Sequence, residues 1–249
     1  MTPSLKSTAK STMSNDIFRF KQFSIRHDRC AMKVGTDGVL LGAWGNVEGR
    51  RILDIGTGTG LIALMAAQRN PEANVLGIDI DKAAVEQAQE NIAESPFSKR
   101  VSCILQDVLA FQPDVPFDAI LCNPPFFTED TLPADAARAL ARNNQSLPFE
   151  DLIPKVASLL ADEGMFSIIV PSQLTQEIIG LCLIECLQLK RQCIVHTTVR
   201  KPSRRTLMTF STRQSRNFNQ NVVPEILCLM NHDGGRSQAY QALTSSFYL

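Results

Sequence analysis

The stretch Asp54-Ile55-Gly56-Thr57-Gly58-Thr59-Gly60 is preceded by a short apolar run, Arg51–Ile55, and followed by Leu61–Gln68, whose residues favour a helix. Glycines at alternate positions between a strand and a helix let the backbone pass close to a ligand. The helix that opens there turns unpaired N–H groups toward the same ligand. Asp79 falls 23 positions after Gly56, at the end of a second apolar run, Asn74–Ile80. A carboxylate at that place can accept both ribose hydroxyls of a nucleoside.

The alternation continues downstream. Asp81 is placed to N-cap a helix that carries Val85, Ala88 and Ile92 on one face. Val101–Leu105 and Phe117–Cys122 read as a third and a fourth strand. Phe149, Leu152, Ile153, Val156, Leu159 and Leu160 form a helical stripe, with Pro154 expected to kink its early turns and Gly164 to close it. Met165–Val170 reads as a fifth strand and Gln173–Leu187 as a helix. Gln192–Val199 and Leu207–Arg213 follow as two strands, and their short join, Lys201-Pro202-Ser203-Arg204-Arg205, permits only antiparallel pairing. The expected fold is α/β: a Rossmann-like, doubly wound, mostly parallel seven-stranded sheet with one antiparallel C-terminal strand. Residues 17–249 read as one domain with a basic N-terminal extension at 17–50. Residues 1–16, rich in Ser and Thr and without apolar periodicity, read as a disordered tail.

With 44% apolar and 20% charged residues over 249 positions, the chain can bury a substantial core. No uncharged apolar run is long enough for a membrane span. Seven cysteines and the lack of an apolar leader point to a reducing, cytoplasmic setting rather than to a disulfide framework. The net charge is zero but unevenly spread. Residues 1–33 sum to +5, residues 186–224 hold no acid and sum to +8, and the remainder carries −13. Such segregation gives a positive face suited to a polyanion, or a basic surface that only meets solvent.

Three ligands compete for the glycine turn. A phosphate-binding Walker loop needs Gly-Lys-Ser/Thr after the turn, which is absent, and a dinucleotide fingerprint needs its third glycine where Leu61 stands. The D-x-G-x-G-x-G spacing suits S-adenosylmethionine better, because its amino and carboxylate groups replace a pyrophosphate. Asp54, Gly56, Gly58, Gly60 and Asp79 are then the cofactor candidates. Asp107, just past the third strand, joins them as an acceptor for the cofactor's adenine amine; it is equally placed to N-cap a helix, and the two readings are compatible.

Asn123-Pro124-Pro125-Phe126 stands directly after the fourth strand, at the edge where such sheets bind ligands. The lone pair of a nucleobase or amide nitrogen is conjugated and poorly nucleophilic. Two acceptors, the Asn123 side-chain oxygen and the Pro124 carbonyl, can take its two N–H bonds and aim the lone pair at a donor methyl. Pro124 and Pro125 stiffen the loop, and Phe126 offers a face on which an extruded base stacks. No general base is needed before transfer, because the ammonium product is acidic. The plain alternative is a proline-stiffened turn with Phe126 in the core.

Together the two motifs resemble those of class I amino-methyltransferases acting on adenine, on guanine amines or on protein glutamine. From about Phe18 to Leu249 the chain is similar to the bacterial tRNA-valine (adenine-N6)-methyltransferases, which modify the adenine just 3′ of the anticodon. Phe20-Lys21-Gln22-Phe23, the run from His27 to Gly38, and Arg200-Lys201-Pro202-Ser203-Arg204-Arg205 support the likeness. The resemblance implies that Asp54, Gly56, Gly58, Asp79 and Asp107 hold S-adenosylmethionine and that Asn123 to Phe126 hold an adenine of a tRNA anticodon loop. Phe126 replaces the tyrosine common at the last motif position, which keeps stacking and removes a hydroxyl. Three other functions share the motifs. A ribosomal guanine-N2-methyltransferase often carries a second copy of the domain, for which this chain has no room. A protein glutamine-N5-methyltransferase needs a peptide-binding helical extension. An RNA-binding protein with a vestigial pocket would bind no cofactor.

If the sixth strand runs parallel to its neighbours, the loop after it rims the same edge as Asn123. Arg200, Lys201, Arg204 and Arg205 are then placed to pair phosphates of tRNA, with Arg26, Arg29 and Lys33 widening that surface. Gly38–Trp44 reads as a helix capped by Thr36, with Asp37 either in its first turn or reaching the cofactor's amino group. Cys182 and Cys186, at i and i+4, have metal-ligand spacing but no completing partner, so no metal is expected.

Overall fold

The computed structural model describes residues 16–29, 33–125, 147–212 and 222–249. The expected tail, apart from Asp16, and the stacking residue Phe126 lie outside the described residues.

Among the described residues the strands are β1 Ile17–Arg19, β2 Ser24–Arg26, β3 Arg51–Ile55, β4 Asn74–Asp79, β5 Val101–Leu105, β6 Phe117–Cys122, β7 Leu160–Pro171, β8 Leu187–His196, β9 Ser203–Thr212 and β10 Glu225–Cys228. The helices are α1 Thr36–Trp44, α2 Leu61–Arg69, α3 Lys82–Ala93, α4 Phe149–Leu159, α5 Thr175–Ile184 and α6 Gln238–Thr244. One sheet runs in the order β10-β8-β9-β7-β6-β3-β4-β5. All its neighbours pair parallel except β9, which is antiparallel to both β7 and β8. The seven expected strands and the antiparallel member are therefore present, and β10 adds an eighth at one edge.

Alternation along the strands sorts the core into two layers. Ile52, Ala119, Leu121, Ile169 and Leu207 face α1, α2 and α3. Leu53, Ile55, Ile120, Phe166, Ile168, Met208 and Phe210 face α4 and α5. Small residues let α1 come close: a Cβ on Gly42 would lie 2.6 Å from Met65 Sδ, and one on Gly45 2.5 Å from a Leu121 methyl. Asp81 caps α3 as expected, accepting the Ala83 N–H at 2.9 Å.

Several boundaries differ from the sequence reading. α4 stops at Leu159, and Gly164 lies within β7, so it does not close the helix. A Cβ there would sit 3.0 Å from the Phe117 carbonyl, at the register irregularity between β6 and β7; close backbone approach is its reason. α5 ends at Ile184, and β8 starts at Leu187, five residues ahead of the expected strand. Cys186 between them has φ +62° and is exposed while Cys182 is buried, so the pair does not share a helix face. α1 starts at Thr36 with Gly35 as its cap and no side-chain cap bond, which puts Thr36 inside the helix. β9 begins at Ser203 rather than Leu207.

The N-terminal extension is a β1–β2 hairpin stitched to the C-terminus. Lys21 N–H donates to the Phe247 carbonyl at 2.8 Å, and Phe20 stacks on Phe23 and on Tyr248. No described helix is long and apolar enough to cross a membrane.

Candidate active site at the switch point of the sheet

From β3 the chain proceeds outward to β4 and β5, whereas β6 lies on the other side of β3. The carboxyl ends of β3 and β6 therefore flank the point where strand order reverses, the place such sheets use for ligands. Ile55 and Cys122 are register partners, so Gly56 and Asn123 are the next residue on each side of one crevice.

The glycine turn is held open by its own backbone. Gly56, Gly58 and Gly60 have φ of +67°, +54° and +80°, a region that disfavours any side chain. Gly56 and Thr57 N–H donate to the Ile78 carbonyl at 2.9 and 3.0 Å, which folds the turn over the end of β4. Nothing lies within 4 Å of where a Gly56 Cβ would stand, so its Cα faces open space.

Asp54 is fully buried beneath the turn. Its Oδ2 accepts the Thr57 hydroxyl at 2.6 Å and the Ala63 N–H at 3.1 Å, while Oδ1 is buried with no hydrogen-bond partner. Burial raises its pKa to about 7, against the opposing pull of those two bonds. Asp79 supports the turn from the neighbouring strand. One carboxylate oxygen accepts the Gly58 N–H at 2.9 Å and the other the Asp81 N–H at 3.0 Å. Asp107 accepts the Leu109 N–H at 2.9 Å, an Asx-type turn and not a helix cap. Ile80, Leu105 and Leu109 near these carboxylates expose much of their apolar surface.

Asn123 is half-buried, Pro124 buried and Pro125 exposed. The Asn123 amide makes no hydrogen bond with any described residue. Gly38 near the start of α1 looks across at it: a Cβ there would lie 4.0 Å from Asn123 Nδ2.

The hairpin joining β8 and β9 ends on the same edge, since β8 and β7 are both antiparallel to β9 and β7 runs parallel to β6. Its turn is closed by Lys201 N–H donating to the Thr198 carbonyl at 3.1 Å, and by the His196 ring against the Lys201 carbonyl at 2.9 Å. Arg200, Lys201 and Arg204 are exposed, as is Lys33. Arg205 is engaged by Asp37, its Nε donating to Oδ2 at 2.7 Å. Neither the reading of Arg205 as a phosphate ligand nor that of Asp37 as a cofactor contact includes this pair. Arg26 and Arg29 are likewise occupied, by Glu94 at 3.3 Å and by Glu90 on α3. Their partners lie more than sixty residues away in sequence, so the ion pairs leave no local signal.

The buried thiols of Cys103, Cys122, Cys182 and Cys193 are pushed above the ordinary range by burial, which keeps them from acting as nucleophiles near neutrality. Among the described residues no group of three His, Cys, Asp or Glu is placed to hold a metal ion.

Comparison with known proteins fits this geometry. The methyltransferase small domain family matches residues 33–188, from the basic segment through the start of β8. A tRNA1(Val) (adenine(37)-N6)-methyltransferase of Bacteroides thetaiotaomicron is 44% identical over 239 residues, 95% of this chain and 99% of its own. The chain belongs to the tRNA1(Val) (adenine(37)-N6)-methyltransferase family. A second relative of that name, from Phocaeicola vulgatus, is 43% identical over 95% of this chain and 99% of its own. The fold of this family member also matches a solved structure, a predicted O-methyltransferase of Agrobacterium tumefaciens. Its TM-score is 0.65 at 21% identity, over 85% of this chain and 96% of that one. In this family member the methyltransferase small domain match spans β3 to β6, the strands that carry both motifs.

Proposed function

We propose that the protein transfers a methyl group from S-adenosylmethionine to the N6 amine of adenine 37 in the anticodon loop of a valine tRNA. The observation that carries this reading is the similarity to relatives of that name along 95% of the chain. The glycine turn and Asn123-Pro124 at the ends of adjacent strands supply the chemistry.

Two features of the turn suit a nucleoside cofactor with a cationic amino group: the open space over Gly56 and the unpartnered Asp54 Oδ1. Gly56, Gly58 and Gly60 would form the cradle, Asp79 would take the ribose and Asp107 the adenine, with Asp54 beneath. When bound, S-adenosylmethionine supplies an electrophilic methyl on a sulfonium.

Asn123 Oδ1 and the Pro124 carbonyl accept the two N–H bonds of the adenine amine, which draws electron density back onto nitrogen and points its lone pair across the crevice. Pro125 limits the motion of that loop, and Phe126 stacks on the base. Arg200, Lys201 and Arg204, with Lys33, hold the phosphates on either side. Arg26 and Arg29 contribute through the segment they brace against α3 more than through free charge.

The test is methyl transfer from labelled S-adenosylmethionine into separated tRNA, ribosomal RNA and protein from cells lacking the gene. Label recovered as N6-methyladenosine in tRNA alone is the expected result. Methylguanosine in ribosomal RNA or methylglutamine in protein would keep the Asn123 chemistry and overturn the substrate. A protein that binds no cofactor would overturn the enzyme reading.

A further inference from the structure

Arg205 stands apart from the other cations of the hairpin, and strand geometry explains why. Arg204 is the extra residue at the register irregularity between the pairs Val195–Arg205 and His196–Ser203, and it is exposed, whereas Arg205 is paired on both sides, with Val195 and Pro171, and is half-buried. Thr206, the next residue, is hydrogen-bonded to Thr175 at the start of α5. Arg205 shares its face with Leu207, which belongs to the core layer of α1. There it meets Asp37 at 2.7 Å, the two side chains being 32% and 28% exposed. One residue further along α1, Gly38 faces the Asn123 amide.

We propose that Asp37 and Arg205 are a positioning pair. They fasten the RNA-bearing hairpin to the helix that abuts Asn123. Phosphates held by Arg200, Lys201 and Arg204 then keep a fixed separation from the amine held by Asn123. The inference rests on the functional reading above. β9 lies two strands from β6, about 10 Å at ordinary strand spacing. Methyl transfer needs its reacting atoms in near-attack contact, where a misplacement of about 1 Å can cost as much as a hundredfold in rate. The half-shielded pair is screened by salt less than the exposed cations are. Arg205 therefore acts on the transfer step and not on RNA affinity, and Asp37 is spent on Arg205 and not on a cofactor amino group.

The test uses Asp37→Asn, Arg205→Gln, the double variant and the conservative Arg205→Lys in the full chain. Four quantities are read: kcat on tRNA, tRNA affinity across a salt series, S-adenosylmethionine affinity, and the unfolding temperature. Each single neutral variant should lower kcat about tenfold, and the double should fall no further, because the two groups act as one unit. tRNA affinity, its salt slope and cofactor affinity should stay within about twofold, and Arg205→Lys should recover most of kcat. A salt slope reduced by about one in Arg205→Gln, with Asp37→Asn silent, would make Arg205 a phosphate ligand and overturn the pair. Loss of cofactor affinity confined to Asp37→Asn would return Asp37 to the cofactor and overturn it too. Multiplicative losses in the double variant, or kcat unchanged in both singles, would do the same. A wild-type protein that leaves tRNA adenine unmethylated would overturn the functional reading, and the inference with it.

Discussion

Asn123 and Asp54 show how differently a polar side chain can serve one crevice. Asn123 is half-buried with no amide hydrogen bond to any described residue, and the task proposed for it begins when substrate arrives. Replacing it with Ala should lower kcat by about 100-fold or more while S-adenosylmethionine affinity, measured by calorimetry, stays within about twofold. A large loss of cofactor affinity would contradict its role. Asp54 is instead part of the turn's foundation, buried with two donors on one oxygen and none on the other. Its folded-state pKa of about 7 lies above its ordinary 3.8, so the folded protein binds the proton more tightly than the unfolded chain does. The stability it contributes is full below about pH 4, falls as pH rises through the interval up to 7, and is flat above that. The cofactor-free protein should therefore lose melting temperature between pH 5 and 8 by more than Asp54→Asn does. Equal pH slopes for the two would remove Asp54 as the cause.

At the scale of elements, the hairpin between β8 and β9 is the proposed RNA-binding element and the turn before β8 carries strain. Neutralising Arg200, Lys201 and Arg204 together should weaken tRNA binding and flatten its salt dependence by about two units of log–log slope, at roughly 0.7 per single-stranded phosphate contact. An unchanged slope would exclude the hairpin from the interface. Cys186 occupies a left-handed conformation at the end of α5 that costs a non-glycine residue about 1 kcal/mol, so Cys186→Gly should be neutral or stabilising by up to that amount in denaturant melts. Elements whose cues are local were legible in the sequence. The glycine turn, the Asp81 cap and the antiparallel β8–β9 pair each announce themselves within a few residues. β10 does not: Glu225 is tied to Arg191 at 2.5 Å and to the Trp44 indole at 3.1 Å, partners far off in the chain. The start of β8 was hidden for a related reason. Lys190 and Arg191 read as loop residues, yet Arg191 is stacked over the Trp44 ring at 4.2 Å.

For the whole molecule, topology brings the two motifs together. Nothing in 66 intervening residues says that Gly56 and Asn123 meet, but a sheet that reverses order between β3 and β6 makes them neighbours. The strand–helix alternation in the sequence presupposes that reversal, and the structure brings the ends of β3 and β6 together accordingly. The charge pattern was legible only in outline. The basic N-terminal segment is partly cancelled by Glu90 on α3 and by Glu94, its C-cap, which leaves the hairpin as the more available positive surface. The same topology sets the most direct measurement of the central claim. A valine tRNA transcript would be incubated with the protein and S-adenosylmethionine, digested, and mapped by mass spectrometry beside a transcript with guanine at position 37. One methyl on adenine 37, absent from the guanine control and from the Asn123→Ala reaction, is the expected result. A methyl on any other nucleotide, or the same yield with Asn123→Ala, would contradict it.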